Sequence, residues 1–163
     1  MKRILFLVFA IALMGAACNQ TVQEDNTRHV PYSDGLINIA GRSISFEHAD
    51  TPDKQIRGLS NRDTIEENQG MLFTFSVPSL PVFWMKDMRF PIDIVWLKGD
   101  EIVDITKNAM PEPGVSDDRL RTYSPKKPAD QVLELKTGWA DRNGLKIGDK
   151  IEVIRVIQPS SGS

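Results

Sequence analysis

From Gly35 onward the apolar residues come in short runs, each closed within a few positions by glycine, proline or a charged turn. Runs of this length do not make amphipathic helices, which need about three turns, but they suit strands. Residues 36–40, the turn Gly41-Arg42 and residues 43–48 read as a hairpin, with Ile44, Phe46 and His48 sharing one face at period 2. Further strands are expected at residues 71–75, 82–85, 92–97, 101–106, 131–135 and 150–157, with turns at Lys98-Gly99-Asp100 and Gly148-Asp149. Two short helices interrupt them. Residues 52–57 have Asp50 or Thr51 to cap them, Pro52 in the first turn and Gly58 at the C′ position. Residues 137–143 make a turn or two, ended by Gly144. The expected fold is mainly β (α+β): a small barrel or curved antiparallel-rich sheet of about seven short strands, with a helix over one opening. No crossover helices long enough for a doubly wound parallel sheet are present. Residues 108–127, rich in proline and charge, read as a long surface loop and a candidate lid.

The N-terminus points to export. Lys2 and Arg3 precede an uncharged apolar stretch from Ile4 that closes on Gly15, Ala16 and Ala17, the three-part layout of a secretory signal. The stretch is shorter than the roughly 20 apolar residues of a bilayer span. Cys18, the single cysteine, follows directly. Gly15-Ala16-Ala17-Cys18 resembles a bacterial lipobox, with Gly15 where leucine is usual. The alternative is an ordinary signal peptide with Cys18 as a spare thiol. One cysteine permits no internal disulfide, and lipid on Cys18 would remove a free thiol from an oxidising compartment. The chain therefore divides into a signal at 1–17, a polar tether at 18–34 containing His29, one domain at 35–157 and a tail at 158–163. Loss of residues 1–17 moves the net charge from −2 to −4, the balance of an ordinary soluble surface and not of a nucleic-acid binder.

Arg57-Gly58-Leu59, Gly70-Met71-Leu72-Phe73, Phe83-Trp84-Met85-Lys86, Pro91-Ile92-Asp93-Ile94-Val95, Leu133-Glu134-Leu135 with Gly138, and Gly148-Asp149 occur in that order. This ordered set resembles the family called domain of unknown function 192, over about residues 39–156. Ser60 stands where the family often has methionine, and Asp87-Met88 where it often has Asn-Thr. The resemblance implies a single exported or lipid-anchored domain and brings no established activity.

The chain has no phosphate-binding or dinucleotide-binding glycine pattern. With two histidines and one cysteine it has little with which to hold zinc, and no metal or cofactor is expected. A serine triad would need His48, and no serine sits in a nucleophile elbow. What remains is a charged set among apolar neighbours: Arg57, Lys86, Asp93 and Glu134. Alternation lines Asp93 up with Val95 and Leu97, and Glu134 with Val132. Carboxylates in such strands need partners, and the expectation is that Asp93 is ionised and held by Lys86 or Arg57, with Glu134 nearby. Phe83, Trp84, Met85, Met88, Phe90 and Trp96 read mainly as core, although a tryptophan at a rim can hold a sugar ring or an acyl chain.

Three functions follow. The favoured one is a monomeric, membrane-anchored envelope module facing the periplasm or the exterior. It would bind a small ligand, a glycan or an envelope protein through Arg57, Trp84, Lys86, Asp93 and Glu134. The second is a carbohydrate-acting hydrolase or transferase with Asp93 and Glu134 as an acid/base pair, which requires those carboxylates to converge in a cleft. The third is a structural lipoprotein without a cleft. If Cys18 carries the anchor, Cys18→Ala should stop signal maturation and move the protein from the detergent to the aqueous phase on phase partitioning; normal maturation and detergent-phase behaviour of the variant would contradict lipidation.

Overall fold

The computed structural model describes residues 34–156. The first hairpin is β1 (Gly35–Ile39) and β2 (Arg42–Ala49), paired antiparallel with Ile37 opposite Ile44. His48 is half-buried at the end of its strand, with Nε2 3.0 Å from Thr74 Oγ1. Helix α1 (Pro52–Arg57) follows; Thr51 Oγ1 accepts the Lys54 N–H, and the Gly58 N–H closes the last turn on the Lys54 carbonyl. Residues 50–68 carry the chain back to its starting end, so β3 (Gln69–Ser79) lies parallel to β2. That one parallel pair departs from an otherwise antiparallel sheet.

The two-residue strand β4 (Phe83–Trp84) leaves the main sheet. β5 (Ile92–Lys98) and β6 (Glu101–Ala109) form the second hairpin. The segment expected as a long surface loop is mostly irregular and exposed, with two short elements in it. It contains a 3-10 turn at Asp117–Arg119 and β7 (Thr122–Tyr123), which pairs with β4 in a small second sheet. Buried Asp104 pins its far end by accepting the Lys126 N–H at 2.9 Å. β8 (Ala129–Lys136), α2 (Trp139–Arg142) and β9 (Ile151–Val156) complete the chain.

The seven-stranded order is β6-β5-β8-β3-β2-β1-β9. The two outer strands meet at one end. The Ile102 N–H donates to Asp149 O at 2.9 Å, and the Ile151 N–H donates to Asp100 O at 2.8 Å. The sheet is thus curled into a half-barrel, which removes part of the exposed strand edge. Inside the curl every strand contributes to one apolar cluster, including Ile37, Phe46, Leu72, Val95, Leu97, Ile102, Leu133, Leu135 and Ile151, and α2 adds Trp139 and Ala140. The outer face of the central strands carries a second cluster, from Met71, Phe73, Ile92, Ile94, Trp96 and Val132. Leu59, Ile65, Met85, Phe90 and Tyr123 from the connections cover it. Gly70 lets β3 approach β8 closely: a Cβ there would lie 2.9 Å from the Glu134 carbonyl oxygen and 3.1–3.2 Å from Leu135 and Leu133.

Asp93 corrects one expectation. It pairs in register with Leu135 and points inside the curl, where it is buried. Lys86 lies elsewhere, ion-paired to Asp117, and Arg57 is exposed at the end of α1. Neither holds Asp93. The main chain does: Oδ1 accepts the Asn108 N–H at 2.9 Å and Oδ2 accepts the Ala140 N–H at 3.0 Å. The carboxylate thereby ties α2 and the end of β6 to the strand beneath them, a charge-assisted substitute for an ion pair. Removing it strands a donor in the buried end of the barrel. Asp93→Ala should therefore lower stability by about 2–4 kcal/mol, read as a shifted urea midpoint; unchanged stability would contradict this role.

Candidate functional site

A pocket of about 370 Å³ opens on the outer face between the C-terminal end of α1, β3 and the β4 segment. Its walls are apolar: Leu59, Phe73, Phe75, Val82, Phe83 and Met88. Phe73 and Phe75 reach it because alternate residues of β3 share a face. Phe83 is held between Phe73 and Trp96 by two edge-to-face contacts, at ring-centroid distances of 5.0 and 5.4 Å. Arg57 and Trp84 stand at the mouth, and Trp84 is 45% exposed with Lys86 Nζ 5.7 Å from its ring centroid.

The segments around the mouth are stapled to each other. Gln55 Nε2 donates to the carbonyls of Ala49 and Thr74, fixing α1 on the sheet. Ser60 Oγ donates to Lys86 O at 2.8 Å, and the Asn61 N–H donates to Asp87 O at 2.8 Å. Gly58 has φ 48° and ψ −135°, a conformation open essentially to glycine alone. It also faces the pocket floor, where a Cβ would sit 3.6 Å from the Phe73 ring and 4.0 Å from Glu134 Oε2.

Glu134 makes that floor. β8 lies between β3 and β5, so residue 134 has Met71 on one side and Ile94 on the other, all directed to the outer face. The position is one where leucine would be unremarkable. The carboxyl is buried, and Oε2 has no hydrogen-bond partner. Burial raises its pKa to about 8, opposed in part by the charge of Arg62, which is itself engaged by both Glu47 oxygens. Most buried polar atoms are paired, so this orphan beside a concave site is an exception that calls for a physical explanation.

Arg57, Trp84 and Glu134 are thus brought to one pocket, and Lys86 lies beside it through the Trp84 ring. Asp93 is not there. Alternation and register place Asp93 with Val95, Leu133 and Leu135 inside the curl, and Glu134 on the opposite face. The two carboxylates do not converge as an acid/base pair would. Cys18 lies outside the described residues. None of Gly58, Phe73, Phe75, Val82 and Met88 was among the expected binding residues: Gly58 read as a helix end, Phe73, Phe75 and Val82 as strand residues, and Met88 as core. The usable signals were the period-2 pair Phe73/Phe75 and the apolar residues around Pro81, a segment with little strand structure to bury them. Among the described residues no group of three or more His, Cys, Asp or Glu is placed to hold a metal.

The DUF192 family model, described as an uncharacterized ACR, matches residues 36–153. The chain belongs to the DUF192 family. No functionally curated protein matches it. Two solved structures are similar over most of the domain. One, from Sinorhizobium meliloti 1021, is described as a candidate transcription regulator; it is 30% identical with a TM-score of 0.62, over 73% of this chain and 90% of that one. The other, a protein of unknown function from Novosphingobium aromaticivorans DSM 12444, is 30% identical with a TM-score of 0.63, over 72% and 81%. In this DUF192 domain Arg57-Gly58-Leu59, Phe83-Trp84 and, from the Leu133-Glu134-Leu135 segment, Glu134 alone, far apart in the chain, meet at the pocket.

The raised pKa of Glu134 has a consequence for stability. Between its ordinary value of 4.5 and about 8 the unfolded chain releases this proton while the folded chain keeps it. The carboxyl's contribution therefore becomes less favourable as pH rises through that window and levels off above it. Wild type should lose of order a few kcal/mol between about pH 5 and pH 8 relative to Glu134→Gln, which cannot ionise. Parallel stability curves for the two proteins, measured by urea unfolding, would show that the group is not buried as described.

Proposed function

We propose that this chain is an envelope lipoprotein, anchored through Cys18, whose DUF192 domain binds a small apolar ligand in the pocket beneath α1. The observation that carries the binding reading is the orphaned Glu134 Oε2 on an apolar floor. A protein selected only for stability would gain from leucine there, since a buried carboxyl without a partner is destabilising. The volume falls within the range of small-molecule sites, and the lining is mainly apolar with a few polar groups, as in such sites. The signal, the lone cysteine and the polar tether support delivery to a membrane surface.

The competing readings have less support. An acid/base glycosidase needs two carboxyl groups flanking one bond, and the sheet stands between Asp93 and Glu134. DNA binding, suggested by the description of the Sinorhizobium meliloti protein, calls for a basic surface, and this chain is net acidic.

The test uses full-length protein extracted from its native membrane in copolymer discs, with small molecules identified by mass spectrometry. A compound should accompany wild type and be absent from Glu134→Leu, while the variant is more stable by about 1–3 kcal/mol. A folded variant that carries the same small molecules as wild type would defeat the reading.

A further inference from the structure

We infer that the ligand is an uncharged molecule with an apolar chain and a carbonyl or amide head, and that its head oxygen accepts a hydrogen bond from the Glu134 carboxyl. The inference rests on the binding reading above and adds the chemistry of the occupant.

Three observations lead to it. First, Glu134 Oε2 is enclosed and unpartnered, so a molecule that reaches the floor must supply its complement. Second, the side chains that pack around Oε2 are mostly apolar, and none donates to it. Strands β3 and β5 present Met71, Phe73 and Ile94 there, and the β4 segment presents Phe83. The charged groups nearby are Arg57 at the mouth, Lys86 with its partner Asp117, and Arg62, which both Glu47 oxygens engage. A cationic head would pass Arg57 and lose its hydration to face a carboxyl that burial keeps protonated at neutral pH. An anionic head would lose its hydration on an apolar floor whose carboxyl is neutral and supplies no positive charge. A neutral acceptor meets neither penalty and finds an O–H donor in an apolar setting, where such a bond is strong. Third, the mouth is apolar on its outside as well. Ile56 and Val82, both part of the pocket, are 73% and 66% exposed. A chain leaving the floor thus continues over apolar surface.

Hexanamide, hexylamine and hexanoate separate the head groups on one short chain. Each is titrated into full-length protein in lipid nanodiscs, against empty nanodiscs, following the amide NMR shifts of Gly58 and Leu59. At about pH 6 hexanamide should bind about tenfold more tightly than either charged probe, and weaken about tenfold by about pH 9.5 as the carboxyl ionises. Glu134→Gln, which keeps an N–H donor, should retain hexanamide binding and lose its pH dependence; Glu134→Leu should lose the preference among heads. Preference for hexylamine, growing with pH, would overturn the head-group assignment and leave the binding pocket standing. Equal hexanamide affinity in wild type and Glu134→Leu would overturn it also. No shift at Gly58 or Leu59 with any probe would remove the pocket reading itself.

Discussion

Strand β8 is buried on both faces, and much of the molecule is arranged around that fact. Its neighbours β3 and β5 lie antiparallel to it on either side, and the residues from Val132 to Leu135 are all buried. Alternation sends Leu133 and Leu135 inside the curl, and Val132 and Glu134 to the outer face. A one-residue slip would exchange the two sets and bring Glu134 into the barrel interior, so the register is strongly specified. The outer covering is needed because this strand leaves apolar surface on that side. The chain supplies it with Leu59 and Ile65 from the connection after α1, with the β4–β7 ribbon, and with Met85 and Phe90.

The same geometry separates two carboxyl groups that look alike in the sequence. Asp93 and Glu134 each stand between two aliphatic residues in a strand. One meets main-chain N–H groups at the start of α2 and the end of β6 and becomes a clamp. The other meets aromatic side chains and one open side, and keeps an orphaned oxygen. Burial is nearly complete for both, so the difference lies in the donors within reach and not in exposure. This is the physical ground for the structural role of Asp93 and for the binding role proposed for Glu134.

The pocket exists because its covering segments are held by a few directional contacts. The positive-φ Gly58 ends α1 just above the floor, and hydrogen bonds from Ser60 and Asn61 to the Lys86-Asp87 backbone draw the two segments together. Ser60 and Asp87 are two of the places where the chain departs from the usual family residues, and both take part in the staple, Asp87 with a positive φ and a main-chain carbonyl. Ser60 and Met88, a third departure, both line the pocket.

Local pattern was enough for the class of fold and for many of its parts. Short alternating runs bounded by Gly and Pro specify strands, and Thr51, Pro52 and Gly58 specify the limits of α1, because caps and turns act over a few residues. The family segments were likewise legible in order. Partners were not. That Asp93 takes its N–H donors from residues 108 and 140, that β7 pairs with β4, and that the ends of β6 and β9 meet depend on contacts between distant positions, which periodicity does not encode. The sequence singled out Arg57, Trp84 and Glu134 as chemistry among apolar neighbours; only the curl of the sheet decided that these three share a pocket and that Asp93 lies behind it, because the face on which a strand residue emerges is set by register with its neighbours.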